Sequence, residues 1–191
     1  SPYRQQNVSL TYNGLNNYQI FSNTSIEFDT IPNDSLYLLD CKITMQQNDT
    51  RSFTVQAEGT NSDGDLGIKG SLSFTNRHIF HGAEVFQLSL KAGLEAQTIK
   101  LEETDGSVFN TKEIGVSGSL LFPRFISPIP FRNFARDYQP TTSLTLGLNT
   151  QIRYYYSRYI ATASISYDWK NSKRYLHTLT PIYLNTVKIS N

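Results

Sequence analysis

Long hydrophobic runs are missing from this chain. The longest unbroken apolar stretch is Leu36-Tyr37-Leu38-Leu39, far below the roughly 20 residues a helix needs to cross a bilayer, so transmembrane helices are excluded. Cysteine occurs once, as Cys41, which rules out a disulfide-stapled scaffold and a thiolate metal cluster. An excess of charge of one sign is lacking too. Lys+Arg 17 against Asp+Glu 16 leaves a net charge of +1, and without a bulk field to draw it onto polyanions the chain is no dedicated nucleic-acid binder. Alanine, the best helix former, appears only seven times in 191 residues. The sequence opens at Ser1 with neither an initiator Met nor a signal peptide, and is expected to be processed or part of something longer.

What is present favours strands. Ser, Thr, Asn and Gln make up a third of the chain, and 12 Tyr, 11 Phe and 1 Trp accompany them; strands and turns suit this mixture better than helices. A mean hydropathy of -0.38 is low for a soluble core, but a membrane β-barrel hides its hydrophobicity by alternating lipid-facing and lumen-facing residues.

The first fifty residues differ from the rest. Val8, Tyr12, Leu15 and Gln19 stand at helical spacing and predict a short amphipathic helix, weakened by Gly14. Residues 25–30 alternate, Pro32-Asn33-Asp34 makes a turn, and residues 36–45 resume as a strand. This small α+β unit ends at the polar break Gln46-Gln47-Asn48-Asp49, where a module boundary is expected.

From Arg51 onward the period is two. Phe53, Val55 and Ala57 alternate with Thr54, Gln56 and Glu58, and Asp63-Gly64 supplies hairpin chemistry. Leu66, Ile68, Leu72 and Phe74 mark the return strand, and Phe86, Leu88, Leu90, Ala92 and Leu94 the third. Ile114, Val116, Leu120 and Phe122 form a fourth, stopped by Pro123. A fifth strand is expected over residues 143–156 and a sixth through Ala161, Ala163, Ile165, Tyr167 and Trp169, with the start of a seventh over residues 179–189. Tyr154, Tyr155, Tyr156 and Tyr159 gather at one hairpin tip, whereas Phe122, Phe125, Phe131, Phe134 and Trp169 gather near the opposite strand ends, as interfacial girdles do. Tyr and Phe are also simply good strand formers. The pattern favours a membrane barrel over a soluble sandwich.

Several stretches resemble one family in order: Leu39-Asp40-Cys41-Lys42-Ile43, the run from Ala57-Glu58-Gly59 to Asp65-Leu66-Gly67, Asn76-Arg77-His78-Ile79-Phe80-His81-Gly82-Ala83-Glu84, Phe109-Asn110-Thr111-Lys112-Glu113, and Leu121-Phe122-Pro123-Arg124-Phe125. From about Tyr12 onward the chain is similar to the junction between the last POTRA module and the first barrel strands of the BamA/TamA outer-membrane-protein assembly factors, in their Bacteroidota TamL-like branch. The resemblance implies a mainly β fold, with antiparallel transmembrane β-barrel strands over residues 51–191 and a small α+β POTRA-like piece over residues 1–47. It implies a site in the bacterial outer membrane with the N-terminal part in the periplasm, and as partners outer-membrane lipid, unfolded outer-membrane protein clients, and periplasmic or lipoprotein accessory subunits. Nucleic acid and cofactors are not expected. About six strands are too few to close the smallest barrel of eight, so a longer parent is expected. The family's late Arg-Gly-Phe motif has no counterpart here.

Such proteins act without catalysis: the first barrel strand is weakly held, and a client strand adds to its edge through backbone hydrogen bonds. The matching residues are Ser52, Phe53, Thr54, Val55, Gln56, Ala57, Glu58 and Gly59, which equally suit an ordinary strand beside a hairpin. The expected membrane-interface residues are Phe122, Phe125, Phe131, Tyr154, Tyr155, Tyr156, Tyr159 and Trp169. Enzyme signals are poor. His78 and His81 lack a third ligand, Asp63 and Asp65 read as hairpin before calcium site, and Glu102, Glu103 and Asp105 read as solvated loop. Sequons at Asn7, Asn23, Asn33 and Asn48 arise by chance in so Asn-, Ser- and Thr-rich a chain. Arg124, Arg132 and Arg136 among phenylalanines suit either a headgroup region or a long turn, and Cys41 suits a strand. A passive outer-membrane porin or transporter barrel and a soluble extracellular β-sandwich that binds a ligand stand as alternatives.

Overall fold

The computed structural model describes residues 3–33, 36–62, 65–96, 111–126, 139–171 and 175–190. Asp63, Gly64, Glu102, Glu103, Asp105, Phe109, Asn110, Phe131, Arg132, Phe134 and Arg136 lie outside the described residues. The fold is mainly β, with antiparallel sheets and, among the described residues, one short helix.

Helix α1 (Gln5–Asn16) comes first. Gln19, expected on it, lies beyond its end, because after Gly14 and Asn16-Asn17 the Tyr18 N–H turns back to the Leu15 carbonyl at 3.2 Å. No residue of α1 is buried, and among the described residues no side chain caps its N-terminus. Strands β1 (Phe21–Asn33) and β2 (Leu36–Gln47) pair antiparallel as a separate two-stranded sheet beside α1. The Tyr3 ring meets Phe28 of β1 edge-on at 5.2 Å.

The second sheet is a seven-stranded antiparallel meander in chain order. Its strands are β3 (Arg51–Ser62), β4 (Asp65–Asn76), β5 (Val85–Ala96), β6 (Thr111–Phe122), β7 (Thr141–Ile152), β8 (Ser157–Asn171) and β9 (Tyr175–Ser190). Strands of 12 to 16 residues are about twice the usual length in globular proteins and exceed the 9–11 residues that cross a bilayer at a tilt. Among the described residues the sheet is open: β3 pairs only with β4, and β9 only with β8.

Several strand ends differ from the sequence reading. β1 runs on through Pro32 and Asn33, expected as a turn, because both stay in register with Tyr37 and Leu36, and β2 runs into the expected polar break as far as Gln47, which still pairs with Phe21. The fifth strand was expected to run to Tyr156, but β7 stops at Ile152 because the Arg153 N–H closes a turn on the Tyr156 carbonyl at 2.9 Å. The last strand begins at Tyr175 rather than Leu179, and it makes a seventh full member of the sheet where about six were expected. Its alternation was masked by an irregularity. Ile165 pairs with Ile182 but Tyr167 pairs with Leu179, so two residues of β9 oppose Ser166, and one of them, Pro181, has no N–H for the ladder. The bulge switches which residues of β9 share a face.

Register places the apolar set on one face. The rows Val55–Leu72–Leu90–Val116–Leu148–Ala161 and Phe53–Phe74–Leu88–Gly118–Leu146–Ala163 run straight across the strands. The other face carries Gln56–Ser71–Lys91–Gly115–Asn149 and Glu58–Lys69–Gly93–Glu113–Gln151–Arg158. Burial on this sheet is inverted relative to a soluble one. Leu146 is 66% exposed in the middle of the apolar face, while Ser89 of the polar face is buried. Among the described residues only Ala83 and Val85 form a buried hydrophobic core. A compact monomer of 21.7 kDa exposes roughly 9,200 Å², whereas this chain exposes 14665 Å². Among the described residues, no second layer packs on the apolar face.

Candidate functional site

Glycine positions tell which way the sheet curls. A Cβ added at Gly67 would lie 2.6 Å from Thr60 Oγ1, and one at Gly147 would lie 2.7 Å from Thr162 Oγ1; both belong to the polar face. On the apolar face, a Cβ at Gly59 or Gly118 would meet nothing within 4 Å. Side chains that converge on one face and splay on the other make the polar face concave and the apolar face convex. The convex side of this sheet is a band of leucine, isoleucine and valine, and the concave side is lined by Ser, Thr, Gln, Lys and Glu.

The open edge, β3, contains every residue from Ser52 to Gly59. Phe53 is 71% and Val55 76% exposed on the convex face, while Thr54, Gln56 and Glu58 share the concave one. The two halves of this strand are held differently. Toward Arg51, the Phe53 ring packs on Phe74 at 4.9 Å. The Arg77 guanidinium donates to Ser52 Oγ and to the Asp49 carbonyl, each at 3.1 Å, and the Arg77 N–H reaches the Thr50 carbonyl at 2.8 Å. Toward Ser62, Ala57 faces Gly70 and Thr60 faces Gly67, so small residues give little side-chain cover to the ladder. Thr60 Oγ1 is buried there with no hydrogen-bond partner.

Comparison with known protein families, curated proteins and solved structures finds no match for this chain.

The expected interface residues fall at opposite strand ends. Tyr154, Tyr155 and Tyr156 form the β7–β8 turn, with the first two rings edge-on at 4.9 Å, and Tyr159 follows on β8. At the other end Phe122 closes β6, and the Phe125 ring meets Tyr167 at 5.6 Å and Trp169 at 6.1 Å. Trp169 in turn stacks on His177 at 5.3 Å. Phe131 lies outside the described residues.

Sequence reasoning missed how tightly this second rim is built. Thr142, 1% exposed, donates to the Arg124 carbonyl at 2.9 Å and accepts from the Ile126 N–H at 3.0 Å. Tyr167 Oη donates to the Ile126 carbonyl at 2.9 Å. Lys170 donates to Gln139, whose amide reaches the Asn13 carbonyl of α1 at 3.1 Å. Glu84 is buried in the β4–β5 connection and accepts the Gly82 N–H at 2.8 Å. Burial alone would raise its pKa, but backbone N–H donors at Glu84, Gly82 and Phe80 and the charge of Arg124 hold it below the ordinary value. His78 and His81 belong to the same connection, their rings edge-on at 5.3 Å, and His78 Nδ1 accepts the Ala83 N–H at 3.3 Å. Among the described residues no group of three metal-ligating side chains occurs. Cys41 lies exposed on β2.

Proposed function

We propose that this chain belongs to an outer-membrane-protein assembly factor of the BamA/TamA type, in its TamL-like form, and acts without catalysis. Strands β3 to β9 are the membrane-spanning part of a β-barrel, residues 1–47 are a POTRA-like periplasmic unit, and β3 is the strand on which unfolded clients pair. Outer-membrane lipid covers the convex face, and periplasmic or lipoprotein subunits are the natural accessories.

The observation that carries this reading is the edge strand itself. β3 follows directly on a separate helix-and-hairpin unit, its outer backbone groups have no strand beside them among the described residues, and its Ser62 half is thinly covered. Such an edge accepts another strand. The exposed apolar convex face and concave polar lining agree with a barrel wall, whereas a soluble sandwich requires a second sheet over the apolar face.

The test is site-specific photo-crosslinking from Thr54, Gln56 and Glu58 in cells expressing an outer-membrane client. Client adducts at these positions and none at Thr145, inside the sheet, are expected. Equal or absent adducts at both sets refute strand pairing. A second reading, a passive porin, is favoured by one feature: a hollow of about 300 Å³ on the concave face, lined by Glu58, Lys69, Lys91 and Glu113. Open-channel conductance of the full-length protein without client adducts would support it instead.

A further inference from the structure

The convex face is not uniformly filled. Where Gly70 and Ala92 sit side by side on β4 and β5, it dips into an apolar hollow of about 700 Å³, rimmed by Leu72, Leu94, Ile114 and Leu148. Directly across from Leu94, on β6, stands Lys112, with Ile152 on its other side. An ammonium group on a mainly apolar face costs free energy unless it reaches the headgroup level and meets a counter-charge. The Lys112 ammonium makes no hydrogen bond or ion pair among the described residues.

Acidic side chains are confined to one face. Glu58, Glu95, Glu113 and Asp168 all occupy the concave face, where Lys69, Lys91, Arg158 and Lys170 accompany them, whereas Lys112 and Lys188 stand on the convex one toward its tyrosine-rich end. No acidic side chain accompanies them among the described residues of that face. The convex rim therefore sets one cation, Lys112, beside the apolar depression, with Lys188 farther along the same rim on β9.

We infer that this hollow is a binding site for an anionic phospholipid, with an acyl chain lying over Gly70 and Ala92 and the phosphate on Lys112. The site rests on the membrane-spanning reading above and adds to it a lipid preference at one place on the wall. Nothing in strand pairing with clients requires such a preference.

The full-length protein, purified in non-ionic detergent, is incubated with phosphatidylglycerol or with phosphatidylcholine of the same acyl chains, and retained lipid is counted by native mass spectrometry. Phosphatidylglycerol should be retained about fivefold over phosphatidylcholine, as one lysine's attraction to an anionic headgroup implies. Lys112→Gln should erase the preference, and Ala92→Leu, which fills the hollow, should lower retention of both lipids; Lys188→Gln should change little. Gly70→Leu fills the hollow from the neighbouring strand and replaces Ala92→Leu if that variant does not fold. Equal retention of the two lipids, full retention after filling, or the same loss in Lys188→Gln as in Lys112→Gln overturns the site. A parent that stays monomeric in water without detergent overturns the membrane reading itself, a result distinct from loss of the lipid preference.

Discussion

The two faces of the large sheet are built from the same seven strands and obey opposite rules. On the concave face polar side chains crowd: Gly67 and Gly147 leave no room for a Cβ beside Thr60 and Thr162. On the convex face apolar side chains splay, and Gly59 and Gly118 look onto open space. In a water-soluble sheet the crowded face would be the apolar one, because burial of apolar area drives the packing. The inversion means that the close contacts of this sheet are made by polar groups, Asn149 Nδ2 donating to Glu113 at 2.8 Å and Arg158 to Gln151 at 2.7 Å, with Asn149 Oδ1 and Arg158 Nε left without partners among the described residues, while the apolar groups are left for something outside the sheet.

The sharpest way to break this comparison is to place the same charge on either face. Leu146→Arg should cost about 2–4 kcal/mol of folding free energy in lipid vesicles if the convex face meets hydrocarbon near mid-depth, while Thr145→Arg beside it should cost about 1 or less. Urea titration of vesicle-folded full-length protein measures both, and a harmless Leu146→Arg would mean that water bathes the convex face.

Crowding is tested by a single methyl group. Gly67→Ala should cost about 1–3 kcal/mol, since its Cβ meets both Thr60 Oγ1 and, at 3.0 Å, the Leu94 carbonyl. Removing the hydroxyl in Thr60→Ala should restore part of the loss. Gly118→Ala, on the splayed face, should be neutral or stabilising by about 0.5–1 kcal/mol through the unfolded chain. Equal effects at the two glycines would remove the basis for assigning the concave side.

Smaller effects separate both faces from the packed rim. Thr142→Val keeps the shape but leaves the Ile126 N–H without its acceptor, at a cost of about 1–2 kcal/mol. Glu84 gives the rim a pH signature. Its folded pKa lies below the ordinary 4.5, so the stability it contributes is complete above that value and is lost as pH falls through the folded pKa. Glu84→Gln should therefore be less stable than the parent at neutral pH, with the two denaturation midpoints converging in acid. A gap that persists unchanged to the lowest pH would assign the loss to packing rather than charge.

Most of the large sheet was legible because strands write a period of two into the sequence. Phe86, Leu88, Leu90, Ala92 and Leu94 mark β5 by their alternation alone, and they lie on one face. Where local chemistry interrupts the period, the reading slipped. Pro181 and the bulge beside it hid the paired residues 175–178 at the start of β9, and the Arg153–Tyr156 turn removed Tyr154 from a strand its hydrophobicity suggested. The rim was invisible for a different reason. Thr142 with Arg124, Gln139 with Asn13 and Glu84 with Arg124 are distant in sequence, and no local pattern announces a long-range partner.

The sequence by itself therefore determined that this protein would make long two-faced strands, because side-chain alternation is a local property of an extended backbone. The tertiary structure alone decided that the apolar face is the convex one, that β3 and β9 are edges, and that one rim is closely packed. Curvature, edges and rim contacts depend on which strands lie side by side and how closely their side chains meet, and neither is carried by any single strand.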